Sequence, residues 1–91
     1  MKTTTETLDE REEEYGSYTN LSDILESIIS AYACSKNWED MEPYQRVSLY
    51  MDAMKTARIL NGNPDNIDSW HDKAGYSELV VKELIWRRDN D

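Results

Sequence analysis

Two carboxylates one helical turn apart are the residues of this chain that most directly suggest chemistry. Asp68 and Asp72 occupy positions i and i+4 of the segment DSWHD, so on a helix they share one face and repel each other. The repulsion is relieved if they lie near the positive end of the helix dipole, if they pair with Arg58 or Lys55, or if they bind a metal ion. The sequence leaves these three interpretations open.

A cation in apolar surroundings is the second feature of this kind. On the helix predicted around it, Arg58 lies beside Met51 and Met54, within an apolar arc. A buried guanidinium needs a carboxylate partner. The alternative is an arginine whose stem lies along the core while its charged head reaches solvent at the rim.

A glycine inside a predicted helix is the third feature. Gly75 costs about 1 kcal/mol relative to alanine in a helix interior, and close approach of another backbone or a ligand would compensate for that cost. Leu79 and Trp86 lie on the same side as Gly75, opposite the stripe that contains Trp70. Exposed apolar columns commonly mark interfaces, so Gly75, Leu79 and Trp86 are the candidate contact with a second subunit.

The bulk composition indicates one small acidic domain. Of 91 residues, 38% are hydrophobic and none is Phe, so the core is thin and oligomerisation would supplement it. Nineteen acidic against ten basic residues give a net charge of −9, which argues against nucleic-acid binding through phosphates. A single cysteine, and the absence of a signal peptide or apolar span, place the protein in the cytoplasm with no membrane partner.

Hydrophobic periodicity predicts an all-α fold: a small bundle of three main helices and a short N-terminal one. Residues 1–6 form a flexible tail, and residues 7–91 form a single domain that opens with a short helix over 8–15, capped by Thr7 with Glu10. A helix over 20–35, capped by Asn20, carries one apolar stripe: Leu21, Ile24, Leu25, Ile28, Ile29 and Tyr32.

The third and fourth predicted helices cover 43–61 and 66–87. Pro43 starts the third, Gly62 ends it, and its apolar arc is wide enough for it to be the central element of the bundle. The fourth is expected to face the core with one stripe: Ile67, Trp70, Ala74, Val81, Leu84 and Ile85.

Several motifs resemble a family of small phage-encoded proteins known as a domain of unknown function. They are E-R-x-x-x-Y-G at residues 10–16, P-x-Q-R at 43–46, K-x-A-R-I-L-x-G-N-P at 55–64 and D-x-W-x-D-x-A-G-Y at 68–76. The resemblance implies a bacteriophage or prophage protein in the host cytoplasm. It brings no assigned reaction.

A weaker likeness connects the chain to the all-α nucleotide pyrophosphohydrolases of the MazG type, which bind Mg²⁺ through carboxylates of paired helices. The likeness implies Mg²⁺ as a cofactor, with Asp52, Asp68 and Asp72 as candidate ligands. The MazG signature has E-x-x-E and E-x-x-D on successive helices. This chain departs from it, with D-x-x-E at Asp23 facing away from the apolar stripe.

Without a complete catalytic constellation, the sequence predicts a phage accessory protein that acts by binding, as a homo-oligomeric helical bundle. Its target is a basic surface of a host protein, or a nucleotide bound near Lys55, Arg58 and Tyr76. The alternative is a Mg²⁺-dependent nucleoside triphosphate pyrophosphohydrolase.

Overall fold

The structure, a computed structural model, describes residues 1–91 and contains four α-helices and no strand. The helices are α1 (Thr4–Tyr15), α2 (Tyr18–Ala33), α3 (Pro43–Asn61) and α4 (Ile67–Asp89), with one turn of 3₁₀-helix at Trp38–Asp40. The predicted all-α fold is therefore confirmed. The division into three main helices and a short one is not, because α1 has 12 residues, an average length for a helix.

Two of the predicted helix caps are wrong. Thr3, not Thr7, caps α1: its hydroxyl accepts a hydrogen bond from the Glu6 amide at 3.1 Å, so the helix includes residues 4–6 of the expected tail. Ser17, not Asn20, caps α2, accepting from the Asn20 amide at 3.1 Å. Both helices thus begin earlier than predicted, because a competing cap residue lies three or four positions upstream.

Helix α3 is the middle of the structure, as its wide apolar arc predicts. It packs against α1, α2 and α4, and Ala53 and Ala57 on its surface are fully buried. Beside it, the Trp38 ring is buried between Tyr32, with ring centroids 5.4 Å apart, and Tyr50, at 5.2 Å. The two alanines on α3 allow neighbouring helices to pack closely against it. The three aromatic rings pack together where the connection between α2 and α3 meets these helices.

Helix α4 does not face the core with its predicted stripe. Trp70, Val81 and Ile85 are exposed, as are Ile67, Ala74 and Leu84. The side that meets α3 is more polar and comprises Ser69, Asp72, Lys73, Tyr76, Val80 and Glu83, all buried or half-buried. On this face Asp72 and Lys73 form ion pairs with Lys55 and Asp52 of α3, and a single neighbouring helix cannot also cover the two apolar flanks.

The chain consequently has an open, elongated shape. Its radius of gyration is 15.8 Å, whereas a compact domain of this length has about 12 Å. Its accessible surface is 6882 Å², about 1,400 Å² more than a compact monomer of 10.7 kDa exposes. The core predicted to be thin is thin: five of 91 residues are buried.

Candidate functional site

The end of α1 meets the α3–α4 turn through two glycines. The amide of Asn63 donates to the carbonyl of Glu14 at 2.8 Å. A Cβ on Gly62 would lie under 3.0 Å from the Glu14 carbonyl, and one on Gly16 would lie as close to the backbone of Asn61. Gly16 also has φ +78°, which favours glycine. Both positions therefore require glycine for this backbone approach.

Three asparagines hold the same junction. The Asn61 amide group donates to the carbonyls of Tyr15 and Ser17 at 2.8 and 2.9 Å. Those of Asn63 and Asn66 donate to the Glu14 carboxylate at 3.1 and 2.6 Å. The bond from Asn66, and then that from Asn63, holds the pKa of Glu14 below its ordinary value.

Sequence reasoning missed these contacts. The only signal was the occurrence of both glycines within the motifs that carried the family resemblance. The asparagines looked like ordinary turn residues, which they also are, since Asn66 caps α4.

The junction positions Tyr15 beneath Arg58. The guanidinium carbon of Arg58 lies 4.6 Å from the centroid of the Tyr15 ring, within cation–π distance. No carboxylate lies within 4.0 Å of the guanidinium, so the carboxylate pair considered for Arg58 is not formed. Its Nε is buried and has no hydrogen-bond acceptor. Arg58 also lines a groove of about 440 Å³, together with Leu8, Arg11, Glu12, Tyr15, Tyr18, Leu21 and Met54.

The predicted carboxylates contribute mainly to packing between α3 and α4. Lys55 pairs with Asp72 at 2.9 Å, and Lys73 of α4 pairs with Asp52 of α3 at 2.9 Å. The hydrogen bond from Lys55 is the main reason that the pKa of Asp72 is lowered. Asp68 lies in the first turn of α4, near the positive end of the dipole. Of the three interpretations of this pair, dipole placement describes Asp68 and ion pairing describes Asp72.

The candidate metal ligands are not brought together. Asp52 and Asp72 each contact a lysine, and no group of three His, Cys, Asp or Glu is arranged to hold a metal ion. The candidate nucleotide residues have different contacts. Arg58 faces α1, Lys55 faces α4, and Tyr76 lines a different groove. Binding of a metal ion or a nucleotide at these residues therefore stays a prediction.

The candidate interface residues lie on a surface that the chain itself does not cover. Leu79 and Trp86 are each 62% exposed, and a Cβ added at Gly75 would have no heavy atom within 4 Å. An apolar groove of about 320 Å³ between α3 and α4 adjoins this flank, and Val47, Met51 and Leu79 contribute to its walls. No contact within the chain accounts for Gly75.

None of the helices has the length and apolar character needed to cross a membrane.

Comparison with known proteins identifies the family. No curated protein and no solved structure matches the chain. A family profile described as a domain of unknown function, DUF6378, matches residues 1–83, which include the glycine junction, Arg58 and most of α4. The chain therefore belongs to the DUF6378 family.

Proposed function

We propose that this protein is a phage accessory protein that acts by binding, as a homo-oligomeric bundle in which a second copy of the chain covers α4. The observation that carries the proposal is the position of α4, which meets its own chain with a largely polar face and leaves apolar residues uncovered on two flanks. A soluble monomer rarely leaves so many large apolar side chains exposed along one helix.

The uncovered area supports a second copy as the occupant. The chain exposes about 1,400 Å² more than a compact monomer would, and a stable interface buries about 800 Å² on each partner. The excess therefore suffices for one standard interface. An identical chain carries the same excess, and a two-fold arrangement would relieve it on both sides.

The Gly75 flank is the best surface for this contact. Gly75 lets a neighbouring backbone approach closely, Leu79 and Trp86 supply apolar area, and the groove beside Val47 and Met51 can receive a partner's side chains. Such a contact also explains why a helix interior retains a glycine that nothing in the chain requires.

Binding suits the site geometry better than hydrolysis does. A MazG-type reaction needs several carboxylates converging on Mg²⁺, and Asp52 and Asp72 are instead paired with lysines. The net charge of −9 favours a basic surface of a host protein as a target, with a nucleotide as the second candidate. Phage origin rests on the motif resemblance described above.

The assembly can be tested with a matched pair of leucine variants. Leu79 on the Gly75 flank and Leu60 near the end of α3 are similarly exposed, at 62% and 67%. We expect the wild type to sediment as a dimer or larger at micromolar concentration. Leu79→Glu should weaken the assembly at least about tenfold, because it would bury an unpaired carboxylate, whereas Leu60→Glu should not.

Two results would contradict the proposal. One is a wild-type mass of 10.7 kDa by light scattering throughout the micromolar range. The other is equal weakening of the assembly by both leucine variants, which would indicate non-specific association rather than this interface.

A further inference from the structure

We infer that the groove between α1, α2 and α3 binds a small aromatic anion, whose acidic group contacts the Arg58 guanidinium. The inference rests on the proposed binding role and gives it a ligand class. It does not require the second copy, since the groove lies within one chain.

The residues that line the groove have a net positive charge, whereas the protein as a whole is negative. Arg58 and Arg11 both line it, and neither has a carboxylate within 4.0 Å, although one acid, Glu12, also lines the groove. By contrast, the half-buried Lys55 and Lys73 are each paired with an aspartate. In a chain with a net charge of −9, the side chains that line this groove carry two arginines against one acid, and this excess of positive charge favours an anion.

The guanidinium has unused hydrogen-bonding capacity. Nε of Arg58 is the one buried side-chain nitrogen or oxygen in the chain that lacks a partner. Buried donors without acceptors are rare because the lost hydration is not replaced. A carboxylate or phosphate accepts from a guanidinium through two parallel hydrogen bonds, so such a group in the groove would give Arg58 the anionic partner that it lacks.

The rest of the groove favours an apolar ring on the ligand. Its walls include Leu8, Tyr18, Leu21 and Met54, and its volume of about 440 Å³ is within the range of small-molecule sites. Tyr18 and Leu8 are exposed in the free chain, at 80% and 60%, and a flat ring would cover them. Aromatic side chains stack favourably on such rings.

Arg58, the residue proposed to contact the anion, is already held in position by the Tyr15 ring. Tyr15 lies under the guanidinium, and its carbonyl accepts a hydrogen bond from Asn61 at 2.8 Å. The glycine junction fixes the end of α1 against the α3–α4 turn. A prepositioned arginine loses less conformational entropy on binding, which favours a site over a mobile surface charge.

The test uses three probes with the same ring system: naphthoate, naphthyl phosphate and the neutral naphthamide. Binding is followed by amide NMR of the full chain, where Gly16 and Tyr15 report on the groove. We expect both anions to bind at least about tenfold more tightly than naphthamide, and the comparison of the two shows whether the groove prefers a carboxylate or a phosphate.

Variants separate Arg58 from general charge effects. Arg58→Met keeps an apolar stem beside Met54 and should lower the affinity for the anions at least about tenfold. Arg58→Lys should restore little of the loss, because an ammonium lacks the planar pair of donors. Lys82→Met removes an exposed cation on α4 and should leave binding unchanged. Thermal melts of each variant check that it folds.

The inference is overturned if no anion binds at about millimolar concentration, if naphthamide binds as well as the anions, or if folded Arg58→Met binds like the wild type. Sedimentation of the same samples keeps the two proposals apart. Anion binding by a monomeric wild type would refute the assembly alone. An assembled protein that fails the binding tests would refute the ligand site alone.

Discussion

Replacing Gly75 by alanine should have opposite effects on the isolated chain and on the assembly. In the isolated chain, a Cβ at Gly75 meets no heavy atom within 4 Å, so the new methyl causes no clash. Alanine is favoured over glycine in a helix interior by about 1 kcal/mol. For a domain of this size that gain corresponds to a rise in Tm of about 4–8 °C.

In the assembly the same methyl would occupy the place where the second copy's backbone approaches. Overpacking a close contact costs about 1–3 kcal/mol, which weakens association by roughly fivefold to 150-fold. The two effects can be measured separately by varying the protein concentration. In a dilute sample the free energy of unfolding reflects the isolated helix, whereas in a concentrated sample it also reflects association of the two copies.

Urea unfolding of a dilute sample, followed by circular dichroism, measures the free energy of unfolding of the isolated chain. Sedimentation velocity measures the dissociation constant of the assembly. Glu78→Ala, at an exposed neighbouring position on α4, is the control and should leave both quantities nearly unchanged. If Gly75→Ala assembled as tightly as the wild type, the Gly75 flank would not be the interface. If Gly75→Ala destabilised the dilute protein, the claim that a methyl group at this position meets no atom of its own chain would be refuted.

Two further predictions concern the glycine junction and the effect of acid. Gly62→Ala should destabilise the chain by about 3 kcal/mol or more in urea unfolding, because the new methyl meets the Glu14 backbone; stability within about 0.5 kcal/mol of wild type would contradict the close approach. The folded-state pKa values of Glu14 and Asp72 are lowered, so their stabilisation is complete above the unfolded pKa values and is lost as pH falls through the folded ones. Unfolding free energies measured from neutral pH downward should therefore decrease in the acid range, and Glu14→Gln should reduce that decrease; an unchanged pH profile for this variant would rule out the contribution of Glu14.

The sequence was sufficient for features set within a few residues of each other. Helix α3 begins at Pro43 and ends before Gly62 as predicted, because proline favours the first helical turn and glycine the helix end. The start of α1 shows the limit of such local patterns. Thr3 with Glu6 and Thr7 with Glu10 both match a capping box, and only the structure shows that the first is used.

Helix α4 shows what required tertiary structure. Its sequence contains two apolar flanks, and periodicity favoured the one with Trp70 and Val81 as the core face. In the structure a different face meets α3, and on it Asp72 pairs with Lys55 and Lys73 pairs with Asp52. A helical pattern records which residues share a face, but not which face meets a neighbouring helix.

The candidate ligand site depends even more strongly on distant contacts. Arg58 could be recognised from the sequence as a cation in apolar surroundings, but its partner, the Tyr15 ring, lies on another helix. That ring is positioned by Asn61, which donates to the Tyr15 backbone across 46 residues of chain. Helix periodicity and caps arise from hydrogen bonds that span about four residues, so a sequence displays them directly. Which helices meet, and at which side chains, depends on the combined packing of the whole chain.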